Sequence, residues 1–311
     1  MRDEHQPGRR RNTCLSDLVQ RRRILRGAGS FLFFCYLLSP PALLGSCRKL
    51  PPAGGTEPPE PDAPAAVDSV TMELRLETAG ETVRKLDLFC YGSSGTQALE
   101  LHTRLDSLPQ TVRLRIPEGE KTVVGIANSP HAFNLAALGR LDAMKQLRYS
   151  FADDNPQAPI LGGQSSLPAA GGTVRLRPLL CRVVLASVAN TMDGYELLES
   201  PRVRLVDIPD TAEILREEEF RPSEMIDAGP WQDLPHDIGF FPVAPRTTLW
   251  CYPNDTPEDV LGAPRPGLEF ECSIRGETCT FTVPMPPLPR GSTREVELVI
   301  DGPDDFRYKV R

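Results

Sequence analysis

The chain has 311 residues, of which 32 are proline and 24 glycine, and a formal net charge of -7. So much proline argues against an all-helical protein, because proline lacks the donor a helix interior needs. An acidic balance of 35 basic and 42 acidic side chains argues against a nucleic-acid binder, which presents a basic face. The charge is uneven. Residues 1–46 hold eight arginines and three acids, or +5, which leaves -12 for residues 47–311.

The first 46 residues read as an export signal. Arg21, Arg22, Arg23 and Arg26 precede the apolar run Phe31-Leu-Phe-Phe-Cys-Tyr-Leu-Leu38, and small residues follow. That run is shorter than the roughly 20 apolar residues a membrane-spanning helix needs. Leu44-Gly45-Ser46-Cys47 resembles a bacterial lipobox, which implies acylation of Cys47 and an outer-membrane lipid anchor. The positions after Cys47 are Arg48 and Lys49 rather than acids, so surface exposure is left open. Residues 51–66 are rich in proline and small residues, the composition of an extended tether.

From Ser69 onward, apolar residues recur mostly at every second position, the pattern of half-buried strands. Strands are expected at 72–76, 86–90, 112–116, 121–127 and 173–177, then at 182–188, 203–208, 238–241, 247–252 and 294–300. Leu135, Leu138, Leu141, Met144 and Leu147, three residues apart, predict a helix. Asp210-Thr-Ala-Glu213 has the form of a capping box opening a second, short helix. Residues 268–274 and 277–283 predict a hairpin turning at Arg275-Gly276, with Cys272 opposite Cys279. That register allows a Cys272–Cys279 disulfide or two buried thiols. Residues after 300 read as a turn and a short tail. Strand spacing of roughly 8–15 residues predicts an all-β chain of two sandwiches. The division is a signal at 1–46, a tether at 47–67, an N-terminal sandwich at 68–175 and a C-terminal sandwich at 176–311.

Catalytic patterns are absent. The sequence holds no nucleophile-elbow, phosphate-loop or zinc-protease motif. His102, His131 and His236 stand alone, and no metal or cofactor is expected. The acids Asp153, Asp154, Asp301, Asp304 and Asp305 read as turn residues. Trp231, Trp250 and Tyr252 suit either core packing or a sugar-stacking surface.

Several segments together resemble the fimbrillin-like lipoproteins of Bacteroidales. They are Lys85-Leu-Asp-Leu-Phe89, Ile116-Pro-Glu-Gly119, Val123-Val-Gly-Ile-Ala-Asn128, Ala158-Pro-Ile-Leu-Gly162, Val174-Arg-Leu-Arg-Pro-Leu179, Arg182-Val-Val-Leu, Trp250-Cys-Tyr-Pro-Asn254 and Arg290-Gly-Ser-Thr-Arg-Glu-Val-Glu-Leu298. The resemblance implies two tandem transthyretin-like β-sandwich domains and a non-enzymatic role in fimbria assembly or adhesion. It also implies assembly with other fimbrial subunits by β-strand complementation, after an arginine-specific protease cuts near the N-terminus. Arg75, Arg84 and Arg104 are the candidate cut sites. The short segment after residue 300 favours an anchor, accessory or tip subunit. The alternative is a surface glycan-binding lipoprotein.

Overall fold

The computed structural model describes residues 6–7, 69–257, 260 and 262–311. Cys47, the tether and all of the 1–46 signal except Gln6–Pro7 lie outside them. Residues 67–311 belong to one compact unit. Of the described residues 52% are strand and 3% helix, an all-β composition, as the period-two pattern predicts.

The N-terminal half holds β1 (Ser69–Glu77), β2 (Leu86–Gly92), β3 (Leu99–Leu105), β4 (Thr111–Pro117), β5 (Lys121–Ala127), β6 (Arg148–Ser150), β7 (Leu161–Leu167), β8 (Gly171–Arg175) and β9 (Arg177–Pro178), with α1 (Leu141–Lys145) between β5 and β6. One sheet runs β4-β1-β8 and the other β9-β7-β5-β2-β3. Their facing residues, among them Leu74, Leu88, Leu114, Val123 and Val174, form one apolar core.

The C-terminal half holds β10 (Cys181–Asn190), β11 (Glu199–Pro209), β12 (Thr211–Glu213), β13 (Met225–Ala228), β14 (Gln232–Asp233), β15 (Thr247–Cys251), β16 (Gly267–Ile274), β17 (Glu277–Pro284), β18 (Thr293–Ile300) and β19 (Phe306–Val310). One sheet runs β19-β18-β10-β15, with Gln6–Pro7 paired to β19. The other runs β13-β11-β16-β17, with β14 also on β11. Phe270, Phe281, Val296 and Phe306 sit in the core between them.

A third apolar cluster joins the halves. Every residue of β2 and β5 is buried, because both faces of their sheet are covered. Leu88 and Val123 face the N-terminal core, while Phe89, Tyr91, Val124 and Ile126 face the other way. There they meet Leu141 and Met144 of α1, and Ala212, Ile214 and Tyr252. The small ribbon β6–β12 belongs to this junction.

Asp154 sits beside Tyr252 at the junction, accepting a hydrogen bond from the Ile160 amide at 2.9 Å. Burial pushes its carboxyl up to about 6. A carboxyl raised in the folded state favours folding while it stays neutral. Its contribution is therefore full below the unfolded pKa near 4 and lost as pH rises through about 6. Two pKa units correspond to roughly 3 kcal/mol. Asp154→Asn is expected to flatten the melting temperature between about pH 4 and pH 6, where the parent declines; an unchanged slope would contradict this.

Several local expectations change in the structure. Only Leu141–Lys145 is helical. The helical ladder cannot extend backward, because the Leu141 amide donates to Gln97 and the Gly139 carbonyl accepts from Leu99. The 210–213 capping box opens no helix: Thr211–Glu213 pairs with Arg148–Ser150 instead. Asp210 spends its backbone on Phe151 and Glu224. Residues 238–241 make a single bridge, Leu198 to Ile238, and no strand. The tail contains a strand, Phe306–Val310, paired antiparallel with β18. Strands β3, β6, β7, β13 and β14 lie outside the expected set.

The hairpin has the expected register, with Cys272 opposite Cys279 and Arg275 and Gly276 both at positive φ. Both thiols are buried and no bond joins them in this structure. Burial pushes the Cys272 thiol up to about 12. Native protein is therefore expected to resist alkylation here at pH 8, and non-reduced protein unfolded in urea to take an alkyl group on both cysteines. Mass spectrometry checks both outcomes.

Candidate assembly site

The first sandwich is built around its first strand. Strand β1 lies between β4 and β8: Ser69–Arg75 pair antiparallel with Thr111–Pro117, and Glu73–Glu77 pair parallel with Gly171–Arg175. Met72 and Leu74 are fully buried and Leu76 nearly so, all pointing into the core. Fully burying such a side chain is worth about 1.5–3 kcal/mol. The opposite face is polar. Arg113 reaches Glu73 at 3.4 Å, and Arg175 reaches Glu77 at 3.1 Å. These pairs are exposed and each contributes little.

The parallel pairing depends on a glycine. A Cβ at Gly171 would lie 1.9 Å from the Glu73 carbonyl oxygen, and its φ is +107°. Only glycine allows the backbones to meet this closely. Because β1 is the first strand of its sandwich, its outgoing connection is one loop, Thr78 to Lys85. Releasing it needs no other strand to be unthreaded.

The three candidate cut sites differ. Arg75 lies inside β1, with the strand paired on both sides. Arg104 lies in β3, where its Nε donates to Asp87 at 3.0 Å. Arg84 lies in the loop after β1 with its side chain exposed. Its amide donates to the Asn128 side chain at 2.8 Å. A protease needs an extended, accessible backbone, which favours the loop over either strand.

A second feature was not legible in the sequence. Arg290 is fully buried as a side chain, at the junction of the two sandwiches. Its guanidinium donates to the carbonyls of Gly162, Arg177, Pro178, Ile214 and Arg216 at 2.7–3.2 Å. Glu217 lies 3.3 Å away. Burial pushes the group down to about 10, so it remains protonated at neutral pH. It ties backbone from both halves to one cation.

Most of the remaining candidates are occupied by local partners. His102 Nε2 lies 2.8 Å from Asp87, and His131 lies 3.2 Å from Asp153. His236 is exposed in a loop. Asp301 is paired with Arg307, which holds its carboxyl below the usual range. Among the described residues no group of three or more His, Cys, Asp or Glu is placed to hold a metal. Nor is any described helix long and apolar enough to cross a membrane. Trp231 is covered by the guanidiniums of Arg202 and Arg204, 4.6 and 4.2 Å from its ring. Tyr252 is fully buried, and the half-buried Trp250 carries Arg182 at 5.5 Å.

No protein-family model and no curated protein matches the sequence. Solved structures do match in fold. A candidate cell adhesion protein of Parabacteroides distasonis is 12% identical, with a TM-score of 0.56 over 78% of this chain and 95% of that one. One from Bacteroides eggerthii is 13% identical, with a TM-score of 0.54 over 78% and 94%. A fimbrilin of Porphyromonas gingivalis is 12% identical, with a TM-score of 0.53 over 75% and 90%. The chain therefore has the all-β sandwich fold of the Bacteroidales fimbrillin-like proteins.

Proposed function

We propose that this chain is a non-enzymatic, fimbrillin-like subunit of the cell envelope that joins other fimbrial subunits by β-strand complementation. One observation carries the reading: β1 is central in its sheet, yet its connection onward along the chain is a single loop that exposes Arg84. Cleavage after Arg84 would free β1 and leave a slot between β4 and β8. A neighbour's strand with apolar residues at alternate positions would refill it with backbone bonds on both sides. Strand β19 is paired in its own sheet with Phe306 buried, so it is not a free donor strand. An acylated Cys47 would hold the protein at the outer membrane through the 47–67 tether. The boundary near 175 divides the two domains in this reading.

The test is digestion of envelope-purified protein with an arginine-specific protease. Cleavage should fall after Arg84 and spare Arg75 and Arg104. The cut product should then capture a synthetic peptide with the sequence of residues 69–77. Failure to cut, or a cut product that binds no strand, contradicts the reading. Separately, Cys47→Ala should release the protein from membranes, and mass spectrometry should find diacylglycerol on Cys47 of the parent.

A second reading, adhesion to a surface glycan, is favoured by a different observation. Tyr195, Phe240 and Phe241 form an exposed aromatic cluster, 63–87% exposed, on loops of the second sandwich. The glycan-array signal should then vanish in Phe240→Ala/Phe241→Ala and survive Trp231→Ala.

A further inference from the structure

Open sheet edges invite pairing, and proteins blunt them with charges, prolines, bulges or short strands. Most edges here follow that rule. Strand β3 carries Glu100, His102 and Arg104, and β4 carries Arg113 and Arg115; β19, with Arg307 and Lys309, is in part covered by Gln6–Pro7. Strands β8, β13 and β15 span five residues or fewer. Strand β17 departs from it. It is eight residues long, pairs only with β16, and between Glu277 at its start and Pro284 at its end carries neither charge nor proline.

The hairpin register says which of its groups face outward. The closing pair is Ile274–Glu277, so Cys279 and Phe281 bond inward to β16. The amides and carbonyls of Thr278, Thr280 and Thr282 therefore point away from the sheet, and they make no backbone bond among the described residues. Thr278 and Thr282 are exposed and Thr280 is half-buried. The alternate residues Cys279, Phe281 and Val283 are buried in the core.

This edge is complementary to itself. Two copies running antiparallel about a two-fold axis at Thr280 set Thr280 against Thr280, and Thr278 against Thr282. Glu277 then meets Val283, so no like charges oppose. Three outward amides on each copy would make about six backbone bonds, and the threonine pairs suit direct cross-strand contact. We propose that β17 is a homotypic docking edge, through which two copies of this chain join their second sandwiches into one continuous sheet. No strand is exchanged and no cleavage is needed, so the inference stands apart from the strand-replacement reading.

The experiment uses the full chain carrying Cys47→Ser, which removes the acceptor thiol for acylation. Sedimentation equilibrium should show the mass rising toward a dimer with concentration. Hydrogen exchange should show the amides of Thr278, Thr280 and Thr282 becoming protected over the same range. Thr280→Lys sets two ammonium groups against each other at the axis and should abolish both changes. Thr280→Val keeps the backbone and should preserve them; far-UV circular dichroism checks that both variants fold. A parent that stays monomeric, a Thr280→Lys variant that dimerises equally, or threonine amides protected at every concentration would each overturn the proposal.

Discussion

Arg290→Met is expected to cost about 3–5 kcal/mol of folding stability, the range for removing one partner of a buried charged network. The cause is what stays behind. Five backbone carbonyls converge on the guanidinium, and a thioether offers them no donor. Each buried acceptor left unmet costs about 1–3 kcal/mol, reduced where water can enter. Arg290→Lys is expected to rescue little, because one ammonium cannot reproduce a planar fork of donors. Urea denaturation measures the loss. Because the carbonyls come from both halves, the transition should also broaden or split as the sandwiches uncouple. A variant within about 1 kcal/mol of the parent would show that solvent replaces the cation.

Gly171→Ala is expected to have the second largest effect, about 3 kcal/mol or more, from left-handed strain together with overpacking. The new Cβ would meet the Glu73 carbonyl at 1.9 Å, and neither backbone can move without breaking the β1–β8 pairing. The consequence should be local. Strand β1 keeps its bonds to β4 but loses those to β8, so cleavage at Arg84 and Arg75 should accelerate. Gly80→Ala is the control. Gly80 also has positive φ, at +103°, but nothing lies within 4 Å of its added Cβ. It should cost only about 1 kcal/mol of strain and leave the pairing intact. Equal proteolysis in the two variants would mean that the close approach does not hold the first strand.

The site was less legible than the fold. Arg84 was readable as a candidate, but so were Arg75 and Arg104, because sequence alone does not say which arginine lies in a loop. Arg290 carried only a weak signal, a lone cation in the proline-bounded run Pro286-Pro-Leu-Pro-Arg290 with no acid beside it. Its partners are carbonyls more than 70 positions away, and carbonyls leave no mark on sequence. The 210–213 box misled for a related reason. A capping side chain offers a local bond, but the backbone there was already committed to β6 and to Glu224.

The sequence by itself determined what depends on neighbours along the chain. Alternation set most of the strands, and Arg275-Gly276 set the hairpin and its register, because side-chain period and turn conformation are local properties. Only the tertiary structure decided what depends on distant segments meeting. It made β2 and β5 buried on both faces, turned the supposed tail into β19, and reduced the apolar repeat over 135–147 to a helix of five residues. It also put the first strand between β4 and β8, the arrangement on which the proposed strand replacement rests. The physical reason is that hydrogen-bond partners and covering faces come from long-range pairing, and pairing is a property of the assembled sheets.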